Sequence, residues 1–307
     1  MIVDCYTCIW DSPAQLGRAS ARRAQQADAR QRPGDHPPHH AGAEAHKTAA
    51  KPVDTSIVVG FKSLYLEAEI PDKLVADYVR QDPERLIGFS GIDPSNPAEA
   101  VRQMQSARDE LGMRGAAMSP AAQNFHPCHT NAKTCYEAMT ELDMPVLFHS
   151  GMRNSPECVL QYGQPMLLDE VAREFPKLKI IIAHMGYPWM HETIALLAKH
   201  ANVYSDISWV LNQPWGAYQA LLDAHQHGVM EKLLFGSGFP YTSAAHCIEA
   251  LYGINHMVNG TSLPAIPREQ LRGIVERDAL DLLGISTATR PVPRNGTSGQ
   301  PLIDDDD

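Results

Sequence analysis

Eight short apolar runs, all but the first followed by a helix-spaced segment, set the tightest limit on how this chain can fold. The runs are Ile2–Cys5, Thr55–Gly60, Leu86–Gly91, Gly115–Met118, Pro145–His149, Lys179–His184, Val203–Asp206 and Leu233–Gly236. Between them lie helical patterns at Pro71–Gln81, Asn96–Glu110, Asn131–Leu142, Leu167–Phe175, Trp189–Lys199, Trp215–His227 and Ser243–Tyr252. In the second of these, Ala98, Val101, Met104 and Ala107 recur at helical spacing. Pro71 suits a first helical turn, and Ser243 and Gly253 suit a start and a stop. Strands alternating with helices at intervals of about 30 residues imply parallel strands joined by crossovers. Eight such units predict a (β/α)8 barrel, with a doubly wound open sheet as the alternative.

Two segments break the alternation. Residues 17–52 are rich in Ala, Arg, Gln, Pro and His and lack apolar periodicity, which predicts a long mobile insertion after the first strand. Residues 286–307 form a polar tail ending in Asp304–Asp307 and are expected to be disordered. The barrel is thus expected over residues 1–285. At 307 residues the chain is longer than the roughly 250 of a typical barrel.

A net charge of −10 argues against nucleic acid or an anionic membrane as partner, since phosphate binding needs a basic face. No apolar run approaches the ~20 residues of a membrane span. The start of the chain shows neither a basic nor an apolar leader pattern, so a cytoplasmic protein with reduced thiols is expected. Cys5 and Cys8 make a lone CxxC, a weak signal for redox or zinc chemistry without a second pair.

In a barrel of this type, chemistry sits where strands run into the following loops. The first run leads into Asp4-Cys5-Tyr6-Thr7-Cys8-Ile9-Trp10, the fifth into His149-Ser150-Gly151 and the sixth into His184-Met185-Gly186. The eighth leads into Phe235-Gly236-Ser237-Gly238-Phe239-Pro240. Two histidines at adjacent strand ends point to metal ligation or acid–base chemistry. A catalytic zinc site takes three protein ligands and leaves one position open.

These four motifs, in this order, resemble the amidohydrolase-related metal-dependent hydrolases, in particular the branch of aminocarboxymuconate-semialdehyde decarboxylase. Ile180–Ser208, Leu233–Tyr241 and Ile274–Leu283 carry the likeness most strongly, and it fails over the insertion. The resemblance implies metal-assisted hydrolysis or non-oxidative decarboxylation of a small cyclic or aromatic carboxylic acid or a lactone. It also implies a homo-oligomer.

The family pattern departs here at its ligands. Its His-x-His pair falls on Tyr6 and Cys8, and its eighth-strand aspartate falls on Gly238. His149 matches the fifth-strand ligand, and His184 matches the histidine that acts on metal-bound water. Glycine offers no ligand, and neutral tyrosine is a weak one. Cys8, His149 and His184 are the best surviving zinc set, so the cofactor is either absent or a single zinc.

Three readings follow. One is a barrel with an incomplete metal site, catalytically impaired and kept for binding or assembly. Another is an enzyme with a rebuilt Cys/His site, or with no metal and His184 as acid–base. The last is an intact enzyme that borrows His36, His39, His40 or His46 from the insertion. Arg153 suits a substrate carboxylate through bidentate contact, or else a surface ion pair. Trp10, Tyr187 and Trp189 are candidate pocket walls for a flat ligand. His126-Pro127-Cys128-His129 reads as a structured loop before a metal site, and Asp206 as a buried, hydrogen-bonded carboxylate.

Overall fold

The computed structural model describes residues 1–26, 41–149 and 156–286. Eight parallel strands form one sheet: β1 (Val3–Thr7), β2 (Thr55–Val59), β5 (Leu86–Gly91), β6 (Gly115–Met118), β7 (Val146–Phe148), β8 (Ile180–Ile182), β9 (Val203–Asp206) and β10 (Leu233–Leu234). A small antiparallel hairpin, β3 (Phe61–Ser63) with β4 (Ala68–Ile70), branches off after β2. The helices are α1 (Arg18–Gln26), α2 (Ala43–Ala49), α3 (Asp72–Val79), α4 (Pro97–Asp109), α5 (Pro120–Gln123) and α6 (Thr130–Glu141). They continue as α7 (Leu168–Glu174), α8 (Met190–Lys199), α9 (Pro214–Gln226), α10 (Ala244–Tyr252), α11 (Arg268–Glu276) and α12 (Ala279–Leu283).

The sheet closes on itself between its first and last strands. The Cys5 N–H donates to the Phe235 carbonyl at 2.9 Å, Gly238 to Tyr6 at 3.0 Å and Cys8 to Phe239 at 2.9 Å. The result is a nearly closed (β/α)8 barrel, as the alternation implies, and not an open sheet.

Both faces of each strand are covered, which is why the strands read as continuous apolar runs. Leu147 and Ile181 point into the barrel interior, while their neighbours Val146, Phe148, Ile180 and Ile182 pack outward beneath the helices. Inside, Phe89 occupies room left by Gly115, where an added Cβ would lie 2.5 Å from the ring. Leu280 and Leu283 of α12 join the interior cluster beside β1. Asn96 and Ser243 cap α4 and α10 by accepting from the backbone N–H groups of Glu99 and His246, each at 3.3 Å.

Several expectations need correction. The first strand runs to Thr7, so Tyr6 belongs to it. Pro71 caps α3 from outside its first turn. The β3–β4 hairpin has no counterpart in the alternation, because its strands are three residues each, too short for a pattern. The 17–52 segment holds α1 and α2, whose described buried residues are Ala19, Ala24 and His46, too few and too small in apolar surface to carry a periodic signal. His36, His39 and His40 lie outside the described residues, as do Arg153 and the tail from residue 287. No helix among the described residues is long and apolar enough to cross a membrane.

Candidate functional site

A cavity of about 130 Å³ opens at the strand ends. Tyr6 from β1, Cys8 just after it, His149 after β7, His184 after β8 and Gly238 after β10 all line it, together with Trp10. The predicted residues that can be placed therefore converge. Tyr187 and Trp189 do not line it; Trp209, Tyr241 and Phe61 supply the aromatic walls instead. Trp10 and Tyr241 stand 6.0 Å apart between ring centroids.

His184 sits at a backbone position with φ 58° and ψ 32°, and Met185 follows at φ 50°. Left-handed backbone costs a non-glycine residue on the order of 1 kcal/mol, so surrounding contacts must hold it. The His184 N–H donates to the Asp206 carboxylate at 3.2 Å. The imidazole Nδ1 lies 2.7 Å from Ser208 Oγ and 3.2 Å from the Ser208 carbonyl. A carbonyl only accepts, so this pattern assigns the ring hydrogen to Nδ1. The Ser208 hydroxyl in turn donates to Asp206, which also accepts the Ser208 N–H at 2.9 Å. Asp206 is wholly buried, and its other oxygen has no hydrogen bond. Burial raises its pKa to about 6 against the opposing pull of these donors. The expectation of a buried, hydrogen-bonded carboxylate is met.

With Nδ1 protonated, His184 presents the lone pair of Nε2 to the cavity. His149 Nε2 stands 3.4 Å from it, and the two rings meet edge to face. Burial, with the neighbouring His184 ring as a second cause, pulls His149 down to about 3. Its ring is therefore neutral at any ordinary pH.

Tyr6 completes the polar floor. Its ring lies 4.7 Å from His184 and 5.9 Å from His149. The Cys8 thiol is close enough that it and the Tyr6 phenol influence each other's ionisation. Burial drives the Tyr6 pKa well up and pushes Cys8 to about 12, so both hold their protons. Beneath them Asp4 accepts the N–H groups of Ser237 at 2.8 Å and Tyr6 at 3.3 Å, and burial raises its pKa to about 7.

The family pattern implies a catalytic metal at these strand ends. Two imidazole nitrogens 3.4 Å apart can share one ion, because ligands at ~2.0–2.1 Å in tetrahedral geometry sit about that far from each other. Among the described residues no three His, Cys, Asp or Glu side chains meet closely enough to hold an ion. The Cys8–His149–His184 set does not assemble, and its thiol stays protonated beside Tyr6. His46 cannot serve either, since it is buried in α2 with Nδ1 2.7 Å from the Tyr78 hydroxyl. The described residues do not fit a three-ligand centre.

Two side signals also resolve. The Nδ1 atoms of His126 and His129 accept the backbone N–H groups of Cys128 and Asn131 at 3.1 and 3.2 Å, which makes that loop structural. Cys5 and Cys8 are three residues apart along extended chain, about 10 Å, beyond the roughly 7 Å a disulfide spans.

A family profile described as Amidohydrolase matches residues 3–285. The chain belongs to the amidohydrolase family. It is 23% identical over 253 residues to Decarboxylase orsB of Emericella nidulans, covering 70% of this chain and 75% of that one. An uncharacterized TIM-barrel protein from Bordetella bronchiseptica superposes with a TM-score of 0.65 at 19% identity, covering 92% and 98% of the two chains. A dihydroxybenzoic acid decarboxylase from a Polaromonas species, solved with manganese and the inhibitor 2-nitroresorcinol, gives 0.64 at 16% identity, covering 92% and 97%.

Reading single residues missed Ser208, Trp209 and Tyr241. Ser208 and Trp209 lie two and three residues past the end of β9, and Tyr241 follows the eighth-strand motif, so a survey of all eight strand ends would have reached them.

Proposed function

We propose that this amidohydrolase-family barrel has an incomplete metal centre and keeps its pocket for binding a small cyclic or aromatic carboxylic acid, or for assembly as a homo-oligomer. The family's metal-assisted reaction is then impaired. The observation that carries this reading is Tyr6. In the frame of the family motif it takes a histidine's place, and its protonated phenol stands against both imidazoles. Cys8 and Gly238 supply no replacement. The ligand class comes from relatives named as decarboxylases of aromatic acids.

A second reading rests on the chain from His184 through Ser208 to Asp206. Asp206 anchors this chain, and the chain orients an imidazole whose Nε2 faces the cavity. That arrangement suits general acid–base work without a metal. Arg153, outside the described residues, would hold the carboxylate in either reading.

The test uses the purified, untagged chain. Metal content, calorimetric binding of 2-nitroresorcinol and carbon dioxide release from 2,6-dihydroxybenzoate are measured together. The first reading expects binding with metal far below one ion per chain and no turnover. Stoichiometric metal with turnover abolished by a chelator would sink it. Turnover that survives the chelator and disappears in His184→Gln would establish the second. A monomeric sedimentation profile at micromolar concentration removes the assembly use.

A further inference from the structure

The insertion after the first strand contributes to the pocket itself. Leu16, just before α1, and Ser20, within it, both line the cavity. Within α1, Arg18 and Arg22 are four residues apart and so share one helical face. Those two arginines reach the other segments of the rim. Arg18 pairs with Glu67 in the β3–β4 turn, and Arg22 pairs with Glu157 at 3.6 Å. The rim segments are tied to each other as well, since the Tyr65 hydroxyl donates to the Glu157 carbonyl at 2.9 Å.

Among the described residues, few side chains of α1 are buried. Its described buried side chains are two alanines, Ala19 and Ala24. Both ion pairs are exposed, with side-chain accessibilities of 73% and 61% in one and 63% and 48% in the other. Exposed pairs of this kind are weak and screened by salt. The helix begins at Gly17, whose φ of +94° suits glycine and whose missing Cβ would lie 3.1 Å from the Leu66 carbonyl. Most of the remaining wall is strand or buried core.

We infer that α1 is the movable outer wall of the strand-end cavity, with Leu16 and Ser20 setting the size of what enters and the two arginine pairs latching it shut. The wall turns at Gly17 and opens when the pairs release. A binding pocket and a catalytic one would use it alike.

Two native thiols, Cys8 and Cys158, line the same cavity and report on entry. The full chain is alkylated with iodoacetamide, which is small, and with N-(1-pyrenyl)maleimide, which is bulky, and each site is followed by mass spectrometry. Buried Cys135 and Cys247 report on opening of the whole fold. Arg18→Glu with Arg22→Glu should speed pyrenylmaleimide labelling of Cys8 and Cys158 by about tenfold, and iodoacetamide labelling less. Added salt should act in the same direction on the unaltered chain. Glu67→Arg with Glu157→Arg should restore the slow rate in the reversed background, and Ser20→Trp should slow both reagents. Unchanged rates at Cys8 and Cys158 in the charge-reversed chain overturn the proposal. So does a rise matched at Cys135 and Cys247, which would make α1 merely structural.

Discussion

The two sides of the barrel mouth treat their polar groups differently. Past β7, β8 and β9, His149, His184, Ser208 and Asp206 form a connected chain of hydrogen bonds. At the seam where β10 meets β1, Tyr6, Cys8 and Gly238 face the same cavity with a phenol, a thiol and no side chain. Yet the seam is well made. Backbone bonds from Cys5, Cys8 and Gly238 close it, and Asp4 takes two more N–H groups. The difference teaches that barrel closure and the side-chain chemistry of the mouth are separable. Closure rests on main-chain groups that any residue supplies, whereas ligation rests on side chains that can change while the strands stay in register.

The sharpest way to break this contrast is to make the seam resemble the other side. Tyr6→His, Cys8→His and Gly238→Asp together should raise metal content from near nothing to roughly one ion per chain, read by metal analysis after dialysis. A Cβ at Gly238 would meet the Trp209 N and Ser208 Cβ at 3.4 and 3.5 Å, ordinary contacts, and aspartate tolerates the φ of +74° better than most residues. A folded triple variant that takes up no metal would show that the seam's side chains are not what keeps the ion out.

The bonded side should respond most to loss of its anchor. Asp206→Ala leaves the buried N–H groups of His184 and Ser208 without their acceptor. Destabilisation of ~2–4 kcal/mol is expected, measured as a lower urea midpoint. A loss under about 0.5 kcal/mol would mean that the chain of bonds is incidental to the fold.

Asp4 tests the seam through pH. Its folded pKa of about 7 lies above its ordinary value of 3.8, so the folded state holds the proton more tightly than the unfolded state. Stability from this group is full below pH 3.8 and is lost as pH rises towards 7. Asp4→Asn removes that loss. The variant should match the parent near pH 4 and exceed it by on the order of 2 kcal/mol above pH 7, in urea titrations across that range. A gain that is constant with pH would point to packing and not to charge.

Much of this was legible in the chain. The eight apolar runs predicted the barrel because parallel strands covered on both faces must be apolar throughout, and Ile180, Ile181 and Ile182 show that in three letters. His149, His184, Tyr6, Cys8 and Gly238 could be placed because strand ends in a barrel share one mouth. The β3–β4 hairpin and α1 could not, since three-residue strands and an alanine–arginine helix lack the periodic apolar signal that marks burial.

What the linear order determined, then, is which residues reach the barrel mouth, because strand alternation and motif order are local properties of the chain. Only the tertiary structure decided what those residues do to one another. The contacts that hold the left-handed turn at His184, the Nδ1 hydrogen assigned by Ser208, the burial that keeps the proton on Cys8 and the wall lent by α1 all arise between segments distant in sequence. Hydrogen bonding and desolvation depend on three-dimensional neighbours, and a one-dimensional pattern does not carry them.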